Sequence, residues 1–196
     1  MRPNWDEFFM FNAIFCATRH SCLKRGVGAV IVKDKRIIGG GYNGAAPGLN
    51  SCLDRGYCYC DDLAMQESQT NSKEFAEIRE DYKLYCLAVH AEVNAISQCR
   101  GWEARGATLY ITNFPCPRCT QDVIITNGIT AVRVWKDYLG NPALTIDEKR
   151  ASERKLLEAG ISLSYVHISP SRIKEFADYM SNIVGERTKY VFEKGE

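Results

Sequence analysis

Val27-Gly28-Ala29-Val30-Ile31-Val32-Lys33-Asp34-Lys35-Arg36-Ile37-Ile38-Gly39-Gly40-Gly41-Tyr42 is the stretch from which the fold is read. Val27 to Val32 is a short apolar run rich in β-branched residues, which predicts a buried strand. Lys33-Asp34-Lys35 supplies a tight turn, and Arg36 to Tyr42 reads as a second strand. The two make a β-hairpin. Upstream, Trp5 to about His20 reads as an amphipathic helix, with Phe8, Phe9, Phe11, Asn12, Phe15 and Cys16 near helical spacing.

Downstream, Asn43 to about Gly56 is rich in turn formers, among them Gly44, Pro47, Gly48 and Asn50. Gln66 to about Tyr82 is polar and charged and reads as a surface helix. Residues from about 44 to 88 therefore look like an insertion between core elements. A helical pattern opens at His90 and runs to about Arg100. Thr108 to Thr112 is a strand. Pro117 starts a helix that stops near Asn127-Gly128. Ala131 to Trp135, then Ile161 to Val166, are strands around a helix from Thr145 to Ala159. Ser169 and Pro170 open a last helix as N-cap and first-turn residue. Helices and strands alternate, so the fold class is α/β: a layered sheet with a hairpin at its start. The 196 residues suit a single domain carrying that insertion.

Bulk composition narrows the function classes. The hydrophobic share is 45% and the charged share 25%, as in a globular protein. No apolar stretch approaches the roughly 20 residues of a membrane helix. The N-terminus lacks a secretory layout, which predicts a cytoplasmic chain. The net charge is +1, with Lys and Arg interspersed among Asp and Glu. That argues against a nucleic-acid partner, which favours a basic surplus. A small phosphorylated substrate needs only one or two placed cations. Nine cysteines, an odd number, with no secretion signal point to metal ligation rather than disulfides.

Two segments concentrate the chemistry: His90-Ala91-Glu92, and Pro115-Cys116-Pro117-Arg118-Cys119. His90, Cys116 and Cys119 supply three ligands for Zn2+, leaving the fourth tetrahedral position open, as a catalytic site requires. H-x-E followed by P-C-x-x-C is the known signature of zinc nucleobase deaminases. Both segments open helices, whose positive ends favour thiolates. Zinc lowers the pKa of its water to about 7. Glu92, two residues from His90, is placed to take that proton, protonate ring nitrogen N3 and pass a proton to departing ammonia. A purely structural site would have no use for Glu92.

Over most of its length the chain resembles the deoxycytidylate deaminase family, phage and bacterial members in particular. The resemblance rests on Ser21-Cys22-Leu23-Lys24-Arg25, Val27-Gly28-Ala29-Val30-Ile31, Gly41-Tyr42-Asn43-Gly44, His90-Ala91-Glu92-Val93-Asn94-Ala95-Ile96 and the Pro115 to Cys119 segment. It implies a three-layer α/β/α fold around a mixed sheet of about five strands. It also implies hydrolysis of dCMP to dUMP and ammonia, feeding thymidylate synthesis. Asn43 would bond the sugar and Arg25 the 5′-phosphate, with Tyr138 at the same end. Arg25 as a solvated charge, and Asn43 as a turn residue, remain the plain alternatives. Asn43 and Gly44 would also serve an allosteric site, activated by dCTP with Mg2+ and inhibited by dTTP. A second, structural zinc is implied on Cys22, Cys52, Cys60 and Cys86, with Cys58 as a substitute for Cys60. Small buried thiols are the alternative there; Cys16 and Cys99 read as core. A homo-oligomer, commonly a hexamer, is implied, and Trp102, Trp135, Tyr179 and Tyr190 are available either for its contacts or for the core. Competing readings are a deaminase of the same fold preferring dCTP, free cytidine or a pterin-like ring, a tRNA adenosine deaminase, and a non-enzymatic zinc module.

Overall fold

The computed structural model describes residues 2–70, 85–100, 102–135 and 144–192. Helix α1 spans Trp5–Ala17. Asn4 and Glu7 cap it reciprocally, each side chain accepting the other's backbone N–H at 2.9 Å. The helix stops short of His20 and presents a different face from the one expected. Phe9, Met10, Phe11 and Ala13 are buried, whereas Phe15 is 75% exposed and Phe8 is also exposed. The cause is backbone packing. A Cβ on Gly28 would overlap the Ala13 carbonyl and the Ala17 amide, so the Ala13–Ala17 side of α1 lies directly on the sheet.

Strands β1 (Gly28–Lys33) and β2 (Arg36–Tyr42) form the expected hairpin. Asp34 and Lys35 both have positive φ, 50° and 58°, as a type I′ turn demands. A bulge follows Ile31, since Ile31 pairs with Gly39 but Val32 with Ile37. The 44–88 segment carries β3 (Gly44–Ala45), α2 (Cys52–Arg55), α3 (Tyr59–Thr70) and β4 (Ala88–Val89), with β3 antiparallel to β4. The helix expected over 66–82 thus begins at Tyr59; its part beyond Thr70 lies outside the described residues. Ser51 caps α2 and Gly56, at φ 76°, ends it. Turn formers here build a short helix where their composition predicts a loop.

Helix α4 (Ala91–Ser97) is shorter than expected. Strand β5 (Thr108–Ile111) leads to α5 (Pro117–Cys119), which runs on as a π-helical turn, Thr120–Ile125. Then come β6 (Ala131–Trp135), α6 (Ile146–Glu158), β7 (Ser162–Val166) and α7 (Pro170–Phe192). The Ser169 hydroxyl accepts the Arg172 N–H at 3.2 Å, as an N-cap should.

The central sheet is mixed, in the order β2-β1-β5-β6-β7. β1 is antiparallel to β2 and β5; β5, β6 and β7 are parallel. Alternation along the strands splits the core in two. Ala29, Ile31, Leu109, Ile111, Val132 and Val134 face one cluster, with Ala91 and Ala95 of α4, Ile124 and Leu156 of α6. Val30, Val32, Tyr110 and Val166 face the other, with Phe9, Met10, Phe11 and Ala13 of α1 and Ile173 and Phe176 of α7. The result is the three-layer α/β/α fold. Cys99 packs half-buried against the first cluster and Cys16 against the second. Of the aromatics considered for contacts, Trp102 is exposed, while Trp135 packs against the second cluster and donates to the Ile168 carbonyl at 2.9 Å. Tyr179 is half-buried, and the Tyr190 side chain lies outside the described residues. Among the described residues, no helix is long and apolar enough to cross a membrane.

Two glycines of β2 set the height of α4 above the sheet. A Cβ on Gly39 would overlap the Ala95 carbonyl, and one on Gly41 would overlap Ala95 N and the Ala91 carbonyl. Without side chains there, α4 lies against bare strand, and its first turn meets the start of α5 at the C-terminal edge of β5.

Candidate metal centre and nucleotide pocket

His90 is the N-cap residue of α4 but makes no side-chain cap bond, so its ring is left to face α5. Cys116 is the N-cap of α5, and its Sγ receives the Cys119 N–H at 3.4 Å. Nδ1 of His90 lies 3.6 Å from Sγ of Cys116 and 3.3 Å from Sγ of Cys119. These donor atoms all lie within 4.8 Å of one another. A tetrahedral zinc with Zn–S near 2.3 Å and Zn–N near 2.0 Å sets its donors about 3.5–3.8 Å apart. One imidazole nitrogen and two sulfurs at this spacing fit that ion.

Charge at the site follows from proximity. The Cys116 thiol is held well below the ordinary thiol range, by the hydrogen bond with Cys119 and by His90, against the effect of burial. His90 is shifted up, chiefly by its bond to Cys116. Glu92, in the first turn of α4, is only 4% exposed. Burial pushes its carboxyl up, opposed by His90. A buried carboxyl beside the metal ligands is the required kind of proton carrier.

A cavity of about 350 Å³ opens beside this group. His90, Glu92 and Cys116 line it together with Arg25, Val27 and Asn43. Arg25 and Asn43, named from the sequence for the phosphate and the sugar, are thus brought to the same space. Asn43 is also a clamp. Its Oδ1 accepts the Val27 N–H at 2.7 Å and its Nδ2 donates to the Arg25 carbonyl at 3.0 Å. Gly44 sits in β3 beside it. Tyr138 lies outside the described residues.

The sequence reading missed several lining residues: Lys24, Asn113, Phe114, Leu144 and Glu148. Asn113 and Phe114 precede the Pro115-Cys116 pair, and that adjacency was the available signal. The Asn113 Oδ1 accepts the Phe114 N–H at 2.9 Å, while its buried Nδ2 has no partner among the described residues. Leu144 and Glu148 come from the start of α6, and nothing local in the sequence ties them to the ligands.

Cys22, Cys52, Cys58, Cys60 and Cys86 line the same cavity. Burial, with Cys86 and Cys58 beside it, pushes the Cys60 thiol up to about 12. The thiols are gathered, but among the described residues no three of their sulfurs reach the mutual 4.8 Å spacing of the His90 group.

A three-layer fold that sets one histidine, two helix-start cysteines and a buried glutamate at the edge of a mixed sheet defines a zinc-dependent hydrolase. Residues 3–136 match the family described as cytidine and deoxycytidylate deaminase zinc-binding region, and the chain belongs to that family. The deoxycytidylate deaminase of Mycobacterium phage D29 is 39% identical over 134 residues, 67% of this chain and 94% of that protein. ComE operon protein 2 of Bacillus subtilis is 29% identical over 191 residues, covering 94% of this chain and 85% of that one. The Saccharomyces cerevisiae deoxycytidylate deaminase is 35% identical over 83% of this chain, which spans 45% of the yeast protein. Among solved structures, the dCMP deaminase of cyanophage S-TIM5 in apo form has a TM-score of 0.54 at 23% identity, covering 85% of this chain and 100% of that one, a likeness of fold.

Proposed function

We propose that the protein hydrolyses dCMP to dUMP and ammonia, supplying the precursor of dTMP. One observation carries this reading: a single cavity is lined by Glu92 and His90 together with Arg25. Reaction centre and phosphate ligand are then within one small nucleotide of each other. The relatives of phage and yeast, named deoxycytidylate deaminases, support the same substrate.

His90, Cys116 and Cys119 would hold the zinc. When bound, zinc supplies Lewis acidity that brings the pKa of a water to about 7. Glu92 carries protons: it accepts one from water and delivers it to N3 of the cytosine, then takes the proton of the new C4 hydroxyl and passes it to the amino nitrogen, which leaves C4 as ammonia while the carbonyl forms. Its burial keeps it out of competition with bulk water. Asn43 orients the sugar, either by its remaining N–H or through the loop it clamps, and Arg25 takes the 5′-phosphate. Tyr138 is proposed for the same end.

The cysteine wall supports a second, structural zinc on Cys22, Cys52, Cys60 and Cys86, with Cys58 replacing Cys60 if needed. We also propose control by dCTP with Mg2+ and by dTTP at Asn43 and Gly44, a hexameric assembly, a cytoplasmic location and a single deaminase domain. A substrate range extending to dCTP is the second reading, and it requires the Lys24 charge in the cavity to be free of Asp61.

The test offers purified protein dCMP, dCDP, dCTP, CMP, deoxycytidine and a tRNA anticodon stem, following deamination by ultraviolet absorbance. Turnover of dCMP is expected. Turnover of the tRNA stem alone would overturn the reading. Adding dCTP with Mg2+, or dTTP, checks control; a flat response to both would remove it.

A further inference from the structure

We infer that the Lys24–Asp61 ion pair makes the pocket selective for one phosphate, by withdrawing the second of two adjacent cations from the nucleotide. This rests on the deoxycytidine nucleotide reading above. Lys24 and Arg25 are consecutive and both line the cavity. Their charges are disposed differently. Nζ of Lys24 lies 2.6 Å from Oδ1 of Asp61, on α3, with both side chains about one-third exposed or less. Among the described residues the Arg25 guanidinium has no carboxylate partner, and its charge is felt at His90.

The loop cannot easily trade the two cations. Its far end is clamped by Asn43 on the Arg25 carbonyl and the Val27 N–H. Its near end is tied by Ser21, whose N–H donates to the Asn43 carbonyl at 3.2 Å and whose carbonyl accepts the Leu53 N–H at 3.1 Å. Lys24 therefore points to α3 while Arg25 is left for the ligand. A monophosphate carries about two negative charges, and a triphosphate about twice that. One free guanidinium matches the first. With Lys24 neutralised, the second meets too few cations and the Asp61 carboxylate nearby. Asp61 is a positioning residue, acting through Lys24, and it discriminates by withholding charge rather than by adding a contact.

Steady-state kcat and KM would be measured for dCMP, dCDP and dCTP on the wild type, D61N, D61E, K24M and the K24M/D61N double variant. D61N removes the carboxylate that offsets Lys24, leaving its contact with the Cys58 thiol, and is expected to raise the dCTP-to-dCMP ratio of kcat/KM about tenfold, mainly through KM for dCTP. That gain should shrink with added salt. D61E should restore the wild-type ratio. K24M removes the cation that offsets the Asp61 charge, so KM should rise more for dCTP than for dCMP, and the double variant should reverse this. A merely structural Asp61 would lower all three substrates alike, and an unchanged ratio in D61N would overturn the inference. If D61N does not fold, K24M against the double variant decides: no relief in the double variant overturns it. A wild type that turns over no deoxycytidine nucleotide would instead defeat the functional reading itself.

Discussion

Asn43 holds the main chain of Val27: its Oδ1 accepts the Val27 N–H at 2.7 Å while its Nδ2 donates to the carbonyl of Arg25 at 3.0 Å. The side chain is 6% exposed, so both backbone groups depend on it rather than on water. Asn43→Ala leaves them unsatisfied, at about 1–3 kcal/mol each. Chemical denaturation should show a loss of about 2–4 kcal/mol. KM for the nucleotide should rise more than kcat falls, since the Arg25 loop loosens. Asn43→Asp should do no better, because a carboxylate oxygen would then face the Arg25 carbonyl. Full stability with lost activity would make Asn43 a ligand only, not a clamp.

Glu92 separates metal holding from turnover. Glu92→Gln keeps size and burial but removes the proton carrier, so kcat should fall by about a hundredfold or more. Zinc content, by elemental analysis, should stay at the wild-type value. His90→Ala and Cys119→Ser remove donors that lie 3.3 Å apart and should lose that zinc. Activity surviving in Glu92→Gln would move the proton role to another group.

Adjacent glycines of β2 should respond oppositely. A Cβ on Gly41 overlaps the Ala95 amide and the Ala91 carbonyl, so Gly41→Ala must push α4 off the strand. A loss of about 1–3 kcal/mol is expected, with weaker zinc binding because His90 rides on the first turn of α4. A Cβ on Gly40 would meet the Cys16 sulfur at 3.6 Å and a Val30 methyl at 3.9 Å, ordinary contacts. Gly40→Ala should therefore be tolerated within about 1 kcal/mol. Thermal melts of the two variants, with zinc titration, check the contrast.

These positions mark where sequence reading works and where it stops. The β1–β2 hairpin was legible because its signals are local: a β-branched run, a turn and a second strand ending at Tyr42. The His90, Cys116 and Cys119 group was legible because each half lies at a helix start written in consecutive residues, with Pro117 at the first turn. The face of α1 was not, because the apolar spacing of Phe8, Phe11 and Phe15 competes with a backbone contact at Gly28 that no helical period encodes. Lys24 was missed for a related reason. Its partner Asp61 is 37 residues away, on helix α3. A lysine beside an arginine reads the same whether its charge is free or neutralised. Asn43 is expected from the sequence at the pocket and lines it, but its hydrogen bonds to Arg25 and Val27 are set by the fold.

The N-terminal helix is fastened to the last one by an ion pair that should register in acid. Nε of Arg172 lies 2.9 Å from Oε1 of Glu7 and Nη2 lies 3.1 Å from Oε2, a two-pronged contact between α7 and α1 with both side chains under 20% exposed. The guanidinium holds the Glu7 carboxyl below its usual 4.5, with burial opposing and the Asn4 N–H assisting. A carboxylate depressed in the folded state stabilises the protein above its unfolded pKa and loses that contribution as pH falls through the folded value. Arg172→Met should cost about 1 kcal/mol at pH 7. The gap between wild type and variant should stay level down to about pH 5 and narrow below 4.5. Urea midpoints measured from pH 7 to pH 3 check this. Glu7→Gln should abolish the pH-dependent part while also weakening the α1 cap. A wild-type-to-variant gap that widened on acidification would contradict the assignment, because Glu7 would then be better held when protonated.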